Sequence, residues 1–475
     1  MSDNNSSLEK SGLSQVIQKN LGYGSAVAFD ENKPTEIDRN YQRSYHEAET
    51  EAVTLSWENI RATLQAKKSL FKNVGSSLEI LKGVSGIAKS GNLLAIMGAS
   101  GSGKTTLLNV LTNRNTGRLQ IGGQVKVNGV NMGTSISKVA AYVQQEDLFV
   151  GVLTVYQHLW FQAMLRMDQN TTIKQRKSRV DGVIRELGLQ KCKNSVIGVP
   201  NKVKSLSGGE RKRLAFASEV LMNPSIMFCD EPTSGLDSFM AESVVHTLKM
   251  LAGKGKTIVC TIHQPSSEIF ILFDNLLLLA EGNVMYLGSA NDAKSFFSSI
   301  GFSCPTQYNP ADFYIRTLAI TPGKEIESRE RLTAIGRKFN ESEIGQKLQS
   351  EISEAAKTNS IIVCYFFRRT TMFIFLKSPA VGFSSTSKFK ANYWSQLRYV
   401  GWRSFLSANK DFAVVGIRVM QNIVIALMSG LVFLGQKNNQ KGVQNINGSL
   451  FLMATNMTFG NAFGVIMVLF SLFFM

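Results

Sequence analysis

The stretch that decides the fold is Gly98-Ala99-Ser100-Gly101-Ser102-Gly103-Lys104-Thr105. It matches the pattern G-x-x-x-x-G-K-[ST], a loop whose backbone N–H groups cradle phosphate oxygens. A short apolar run, Leu93–Met97, precedes the loop, and the apolar spacing of a helix follows from Thr106. Phosphate would then lie at the positive end of that helix. The stretch predicts an α/β P-loop domain in which Lys104 contacts the β- and γ-phosphates and the Thr105 hydroxyl binds Mg²⁺.

The composition differs strongly along the 475 residues, because the first three-quarters read as soluble and the last sixty residues as membrane. The net charge of +17 could indicate binding to nucleic acid. However, the basic residues are spread out and form no stripe with interleaved aromatics, so we expect no nucleic-acid partner. A cytoplasmic face beside anionic lipid explains the charge more simply. The five cysteines lack metal-ligand spacing and predict buried thiols in a reducing compartment.

A pair of carboxylates follows a second buried strand. The apolar run Ser225–Cys229 ends at Asp230 and Glu231. Asp230 is predicted to hold Mg²⁺ through its water shell, and Glu231 to polarise the attacking water. A further apolar strand ends at His263. A lone histidine is usually structural, but one beside an Asp-Glu strand is a good candidate for sensing the γ-phosphate.

Two other stretches could complete a nucleotide site. The strand at Ala140–Val143 ends in Gln144 and Gln145, and a glutamine there is either polar surface or a Mg²⁺ ligand leading into a helical insertion at 151–200. Further on, Leu206-Ser207-Gly208-Gly209-Glu210 opens a helix. Taken alone, this turn reads as a helix cap. With the other elements, its N–H groups could hold a second set of phosphate oxygens.

These elements, in this order, resemble the nucleotide-binding domain of ABC transporters over residues 50–315. The resemblance makes Leu206–Glu210 the signature sequence, with Glu210 where the family usually has Gln, and it favours Gln145 over Gln144 in the glutamine loop. It implies that Mg²⁺ binds Thr105, Gln145 and Asp230, and that the catalytic residues are Glu231, His263 and Gln145. It implies that ATP contacts Gly98, Ser100, Gly101, Gly103, Lys104, Thr105, Thr106, Ser207, Gly208 and Gly209.

Within this family the chain resembles the G subfamily, the white/scarlet/brown type of half-transporter. The ATPase domain precedes the membrane segments, Asn309–Tyr314 resembles the closing motif of that domain, and Trp394–Asp411 resembles the connecting helix. The resemblance implies a homodimer, or a heterodimer with another G-type half-transporter. Each ATP would lie between the phosphate loop of one subunit and the Ser207-Gly208-Gly209 turn of the other.

The C-terminal part predicts a multi-pass membrane protein in contact with the lipid bilayer, with the ATPase domain in the cytosol. An amphipathic helix with aromatic and basic residues covers 391–412, as suits a membrane interface. Val414–Leu434 has the length needed to cross ~30 Å of hydrocarbon. A second span is expected from about 449 to 470. Plasma membrane and intracellular vesicle remain equally open as the location.

The sequence departs from the family in two places. The family has six spans, whereas this chain ends at Met475 after about two, so we expect a truncated membrane domain. In addition, residues 361–383 are apolar where the family's linker is polar, and neither half is long enough to span a bilayer. We interpret this stretch as inserted sequence, for instance a translated intron. Transcript reads that join the codons on either side of it would support this, and reads that all retain it would refute it.

The sequence therefore predicts five segments: a disordered cytosolic tail (1–50), an ABC nucleotide-binding domain with a helical subdomain (51–316), a linker (317–390), the connecting helix (391–412) and an α-helical, truncated transmembrane domain (413–475). The predicted function is the ATP-binding and hydrolysing subunit of a G-type half-transporter that moves a small molecule, such as a pigment precursor or a lipid-like compound. The alternative is a non-transporting, membrane-tethered ATPase that regulates full-length partners. A soluble ABC ATPase is disfavoured by the membrane segments.

Overall fold

The computed structural model describes residues 52–64, 68–69, 72–73, 78–114, 117, 119–198, 205–357, 390–410, 412–435, 439–440, 442–455 and 458. The predicted tail at 1–50, the apolar stretch at 361–383 and most of the second predicted span lie outside these residues. The strands are β1 (Leu55–Leu64), β2 (Lys68–Ser69), β3 (Lys72–Asn73), β4 (Leu78–Ala88), β5 (Leu93–Met97), β6 (Leu119–Val127), β7 (Val130–Asn131), β8 (Ala140–Val143), β9 (Ile226–Cys229), β10 (Thr257–Thr261), β11 (Asn275–Ala280) and β12 (Asn283–Ser289).

The helices follow the apolar periodicity of the sequence, with one short 3₁₀ helix at Gly133–Lys138. They are α1 (Lys104–Thr112), α2 (Val155–Arg166), α3 (Ile173–Glu186), α4 (Gly208–Val220), α5 (Ser238–Gly253), α6 (Ser267–Phe270), α7 (Ala293–Ser299), α8 (Pro310–Leu318), α9 (Glu325–Glu341), α10 (Glu343–Lys357), α11 (Tyr393–Lys410) and α12 (Phe412–Val432).

A six-stranded sheet in the order β12-β11-β5-β10-β9-β8 forms the centre of the domain. All its neighbours pair in parallel except β11 and β12. Every residue of β5, β9 and β10 is buried, as expected of strands covered on both faces. Because the carboxyl ends of parallel strands meet at one edge, the segments after β5, β8, β9 and β10 are brought together there. The predicted α/β fold is confirmed.

A second, antiparallel sheet in the order β4-β1-β6-β7 packs beside the first. Trp57 of β1 is fully buried. An added Cβ on Gly86, its partner on β4, would lie 2.4 Å from the Trp57 ring. Trp57 is therefore a core residue.

Three helices between β8 and β9 form the helical subdomain that the sequence predicts. Each of α2, α3 and α4 begins with a capping box. The N-cap hydroxyl accepts a hydrogen bond from the backbone N–H of the third residue of the helix, and the side chain of that residue accepts one from the N-cap N–H. At α4 the pair is Ser207 and Glu210, so the Glu in the usual Gln position also caps its own helix.

The region predicted as a linker begins with two helices that pack on the nucleotide-binding domain. Helices α9 and α10 contact β12, and Phe339 of α9 is buried with its ring 5.8 Å from that of Tyr286. Lys89 and Glu351 pair at 2.9 Å. Helices α9 and α10 thus pack on the domain predicted at 51–316, and the apolar stripe of α9 is covered there.

Helix α11, the predicted connecting helix, packs on α2 of the helical subdomain. The guanidinium of Arg403 lies 4.9 Å from the centre of the Phe161 ring, and Leu406 packs on the core. Helix α12 covers most of the first predicted span, and residues 442–455 are also helical, so this second helix begins before the second span, which is expected from about 449. Among the described residues, the structure contains no helix with both the length and the apolar character needed to cross a membrane.

Candidate nucleotide site

The phosphate loop connects β5 to α1. Lys104 is buried, and its ammonium donates hydrogen bonds to the carbonyls of Gly98 (2.8 Å) and Ala99 (3.1 Å). The loop needs glycine at Gly98, where an added Cβ would lie 2.2 Å from the backbone oxygen of Leu279. At Gly103 the backbone has φ +100°, which side-chain-bearing residues rarely adopt. The phosphate loop therefore packs closely against β11, and a larger residue at Gly98 would not fit.

Two polar groups of this loop are ready for a ligand. The Ser102 hydroxyl oxygen is buried and has no hydrogen-bond partner, which is rare for a buried polar atom. Burial lowers the pKa of Lys104, while the carboxylates of Glu231 and Asp230 act against this. An anionic ligand would relieve the buried ammonium in the same way as these carboxylates.

Asp230 lies at the centre of a hydroxyl cluster. Thr261 donates to its Oδ1 at 2.7 Å, Tyr142 donates to its Oδ2 at 3.1 Å, and Thr105 Oγ1 is 3.3 Å from its Oδ1. Burial, and next the charge of Asp230, raises the pKa of Tyr142 well above its usual value, so this phenol stays a donor. Thr105 and Asp230, both predicted to bind Mg²⁺, are thus in direct contact.

Glu231 is held in an unusual conformation beside this cluster. Its φ of +42° falls in the left-handed region, a sign of strain that often accompanies a functional site. Its N–H donates to Thr261 Oγ1 at 2.8 Å, and its Oε2 accepts from the amide of Gln145 at 2.7 Å. One hydroxyl, that of Thr261, therefore holds both Asp230 and Glu231.

The signature turn makes its contacts within the helical subdomain and with α5. An added Cβ on Gly208 would lie 2.6 Å from Leu236, and one on Gly209 would lie 3.5 Å from Met240. These neighbours belong to the segment that opens α5. The atoms nearest to an added Cβ on Gly208 therefore come from the segment that opens α5, and Ser207, Gly208 and Gly209 lie on the helical subdomain.

The structure brings together most of the predicted residues. The loop and the first turn of α1 hold Gly98, Ser100, Gly101, Gly103, Lys104, Thr105 and Thr106, and hydrogen bonds join Asp230, Glu231 and Gln145 to this region. Gln144 and Gln145 are both exposed, and Gln145 contacts Glu231. His263 is exposed and lies two residues after the end of β10.

Sequence reasoning missed three residues of the site. Thr261 and Tyr142 contact Asp230, and Lys212 donates to the backbone of Gln145. The signal for Thr261 was a hydroxyl near the end of an otherwise apolar strand. The signal for Tyr142 was its position three residues before Gln145, on the strand next to Asp230.

The donor set suits Mg²⁺ better than a metal held by protein alone. Across the residues that the structure describes, no three His, Cys, Asp or Glu side chains cluster to hold a metal ion. Mg²⁺ usually takes one or two carboxylates and completes its shell with water and substrate phosphates. The hydroxyl of Thr105 and the carboxylate of Asp230 fit that requirement.

Comparison with known proteins identifies three regions. Residues 81–234 match the ABC transporter family, and residues 263–360 and 395–473 each match an ABC-2 type transporter family. The chain is 49% identical over 392 residues to the Drosophila melanogaster protein white, covering 82% of this chain and 54% of white.

Two more relatives extend the comparison. The Drosophila melanogaster protein scarlet is 38% identical over 422 residues (88% of this chain, 60% of scarlet). The Arabidopsis thaliana ABC transporter G family member 13 is 34% identical over 424 residues (86% and 61%). The chain therefore spans 54 to 61% of the length of these relatives. It carries the ATPase domain of an ABC transporter and an ABC-2 type membrane region, and it belongs to the G subfamily of ABC half-transporters, related to Drosophila white and scarlet.

Proposed function

We propose that the chain is the ATP-hydrolysing subunit of a G-type half-transporter. It dimerises with an identical chain or with another G-type half-transporter and moves a small molecule, a pigment precursor or a lipid-like compound, across a membrane. The observation that carries the proposal is the hydrogen-bonded cluster of Thr105, Asp230, Thr261, Glu231 and Gln145 beside the phosphate loop.

Each group has a chemical task in this proposal. ATP with Mg²⁺ supplies the phosphoanhydride bond that is cleaved, and Thr105 and Asp230 are the residues that would hold the metal. The Lys104 ammonium turns from the loop carbonyls to phosphate oxygens. Glu231 accepts the proton of the attacking water, and Gln145 orients its carboxylate.

Of the remaining parts of the site, the signature turn comes from the second subunit and His263 from the same chain as the phosphate loop. In this proposal Ser207, Gly208 and Gly209 bind the ATP held by the phosphate loop of the partner, because they lie on the helical subdomain. His263 contacts the γ-phosphate from the end of β10. A dimer is then required for turnover.

The C-terminal helices connect this site to the membrane. Large apolar side chains are exposed on α12 and on residues 442–455, including Leu431 (72% exposed) and Phe451 (73%). Contact with lipid would cover this surface. The ATPase domain lies in the cytosol, and α11, which packs on α2 through Arg403 and Phe161, carries domain movement to the membrane helices.

Two substitutions in the full chain test the ATPase assignment. Lys104→Ala should weaken ATP binding at least tenfold, because it removes a buried, charge-assisted donor. Glu231→Gln should keep binding and abolish turnover. A matched control, Glu186→Gln, removes a carboxylate of α3 that pairs with Lys254 and should change neither. Hydrolysis by Glu231→Gln at the parent rate would show that Glu231 is not the base.

A further inference from the structure

Lys212 is a buried cation with two partners on another segment. It lies on α4, five residues after Ser207, and is 4% exposed. Its ammonium donates to the backbone oxygen of Gln145 at 2.6 Å and to Asp147 Oδ1 at 3.1 Å. The Asp147 side chain is itself only 12% exposed. A buried ammonium is tolerated only when it is paired in this way.

The atom that Lys212 contacts belongs to a residue of the site. Gln145 offers its backbone oxygen to Lys212 and its side-chain amide to Glu231, the latter at 2.7 Å. Moving the Gln145 backbone by an ångström would break this side-chain contact. The position of the Glu231 carboxylate therefore depends on how firmly Lys212 holds the glutamine loop.

Arg211 makes a second attachment between the same helix and the same loop. Its guanidinium lies 5.6 Å from the centre of the Phe149 ring and donates to the carbonyls of Ile197 and Gly198 at 3.3 and 3.0 Å. The first turns of α4 thus hold the loop at Gln145–Asp147 and at Phe149. The glutamine loop and α4, which we call the signature helix because the signature sequence opens it, move as one unit only while these contacts persist.

We propose that Lys212 is a positioning residue that couples the signature helix to the glutamine loop. Through Gln145, Lys212 positions the Glu231 carboxylate in the site of its own chain. Through α4, it couples the position of that carboxylate to the position of the Ser207-Gly208-Gly209 turn. The inference rests on the proposed function, in which that turn completes the partner's site. Lys212 then connects the two ATP sites of the dimer without touching either nucleotide.

The test compares Lys212→Met and Lys212→Arg in the purified full chain, with Lys254→Met as the matched control. Lys254 pairs with Glu186 at 2.7 Å, and its side chain is 44% exposed. Lys212→Met should lower kcat about tenfold or more, the effect of losing a hydrogen bond to a charged group. Binding of a fluorescent ATP analogue should stay within about twofold of the parent, because Lys104 and its loop are untouched. Lys212→Arg, which keeps the charge and donors, should recover part of the loss.

A double-mutant cycle with Gln145→Ala separates positioning from a general structural role. If Lys212 acts through the Gln145 side chain, Lys212→Met should cause little further loss of kcat in the Gln145→Ala background. If the losses of kcat in the two single variants instead multiplied in the double variant, the inference would be overturned. A parent-like kcat for Lys212→Met would also overturn it.

A second variant guards against misfolding, since Lys212→Met leaves the Asp147 carboxylate unpaired. Lys212→Met with Asp147→Asn removes both charges and should fold with the same loss of kcat. Recovery of parent activity in this variant would mean that only the unpaired charge mattered, and would overturn the inference. A parent that fails to bind the ATP analogue would refute the proposed function itself, whereas an active parent with an unaffected Lys212→Met would refute only the coupling.

Discussion

Thr261→Val should separate catalysis from stability, because one hydroxyl on a buried strand serves both carboxylates. The Thr261 hydroxyl donates to Asp230 at 2.7 Å and accepts from the Glu231 N–H at 2.8 Å. Valine keeps the shape and loses both bonds. A hydrogen bond to a charged group contributes about 1.5–3 kcal/mol, and an unsatisfied N–H adds a similar cost. We expect the free energy of unfolding to fall by about 3 kcal/mol.

In Thr261→Val, kcat should fall by more than the loss of folded protein accounts for. Glu231 has φ +42°, a conformation that costs about 1–3 kcal/mol unless its surroundings impose it. Without Thr261 the backbone can relax and carry the carboxylate away. Asp230 would keep its bond from Tyr142 at 3.1 Å, so binding of an ATP analogue should change little. We expect kcat to fall about 10- to 100-fold.

Thr257→Val is the matched control on the same strand. Thr257 is equally buried, and its hydroxyl donates to the backbone oxygen of Val53 at the opposite end of β10. This change should cost about 1 kcal/mol of stability and leave kcat unchanged. Thermal unfolding and steady-state ATPase rates of both variants provide the comparison. Equal kcat values for Thr261→Val and Thr257→Val would refute the idea that Thr261 positions Glu231.

Two further predictions concern pH and the phosphate loop. Burial, and then the charges of Arg403 and Arg166, lower the pKa of His158 from 6.5 to about 4. As the pH falls, His158 is therefore protonated in the unfolded chain before it is protonated in the folded chain. The free energy of unfolding should fall by about 3 kcal/mol as the pH drops from 6.5 to 4. Unfolding temperatures measured across this range should depend less on pH in His158→Gln, and identical profiles would contradict the assignment. Gly98→Ala should weaken binding of an ATP analogue at least tenfold, since its Cβ would meet the Leu279 oxygen at 2.2 Å; parent-like affinity would show that the loop adapts.

The central sheet and its ligand edge follow from local patterns. Strands β5 and β9 are short apolar runs, β10 is apolar between Thr257 and Thr261, and each strand is followed by a functional group. Because parallel strands end at one edge, the contact between Thr105 and Asp230 could be foreseen without coordinates. The family resemblance favours Gln145 over Gln144, and in the structure Gln145 contacts Glu231.

Other features depend on tertiary contacts that the sequence does not display. In the sequence, Thr261 is an ordinary β-branched strand residue. Its role becomes visible only when β9 is placed beside β10, which brings Asp230 and Glu231 to its hydroxyl. Lys212 lies in a basic run that would normally be solvent-exposed, and only the path of the glutamine loop explains its burial. Helix α9 could have been found, since Leu332, Ile335 and Phe339 follow helical spacing and all are buried.

The most direct test of the central claim mixes two inactive chains. Lys104→Ala disables the phosphate loop, and Gly208→Glu disables the signature turn, where even a Cβ would approach Leu236 to 2.6 Å. If each site combines the phosphate loop of one subunit with the signature turn of the other, the mixed dimer contains one intact site. ATP hydrolysis should then reappear when the two full-length variants are co-expressed and purified together through different tags. A co-purified mixed dimer that stays as inactive as either variant alone would contradict the shared ATP site.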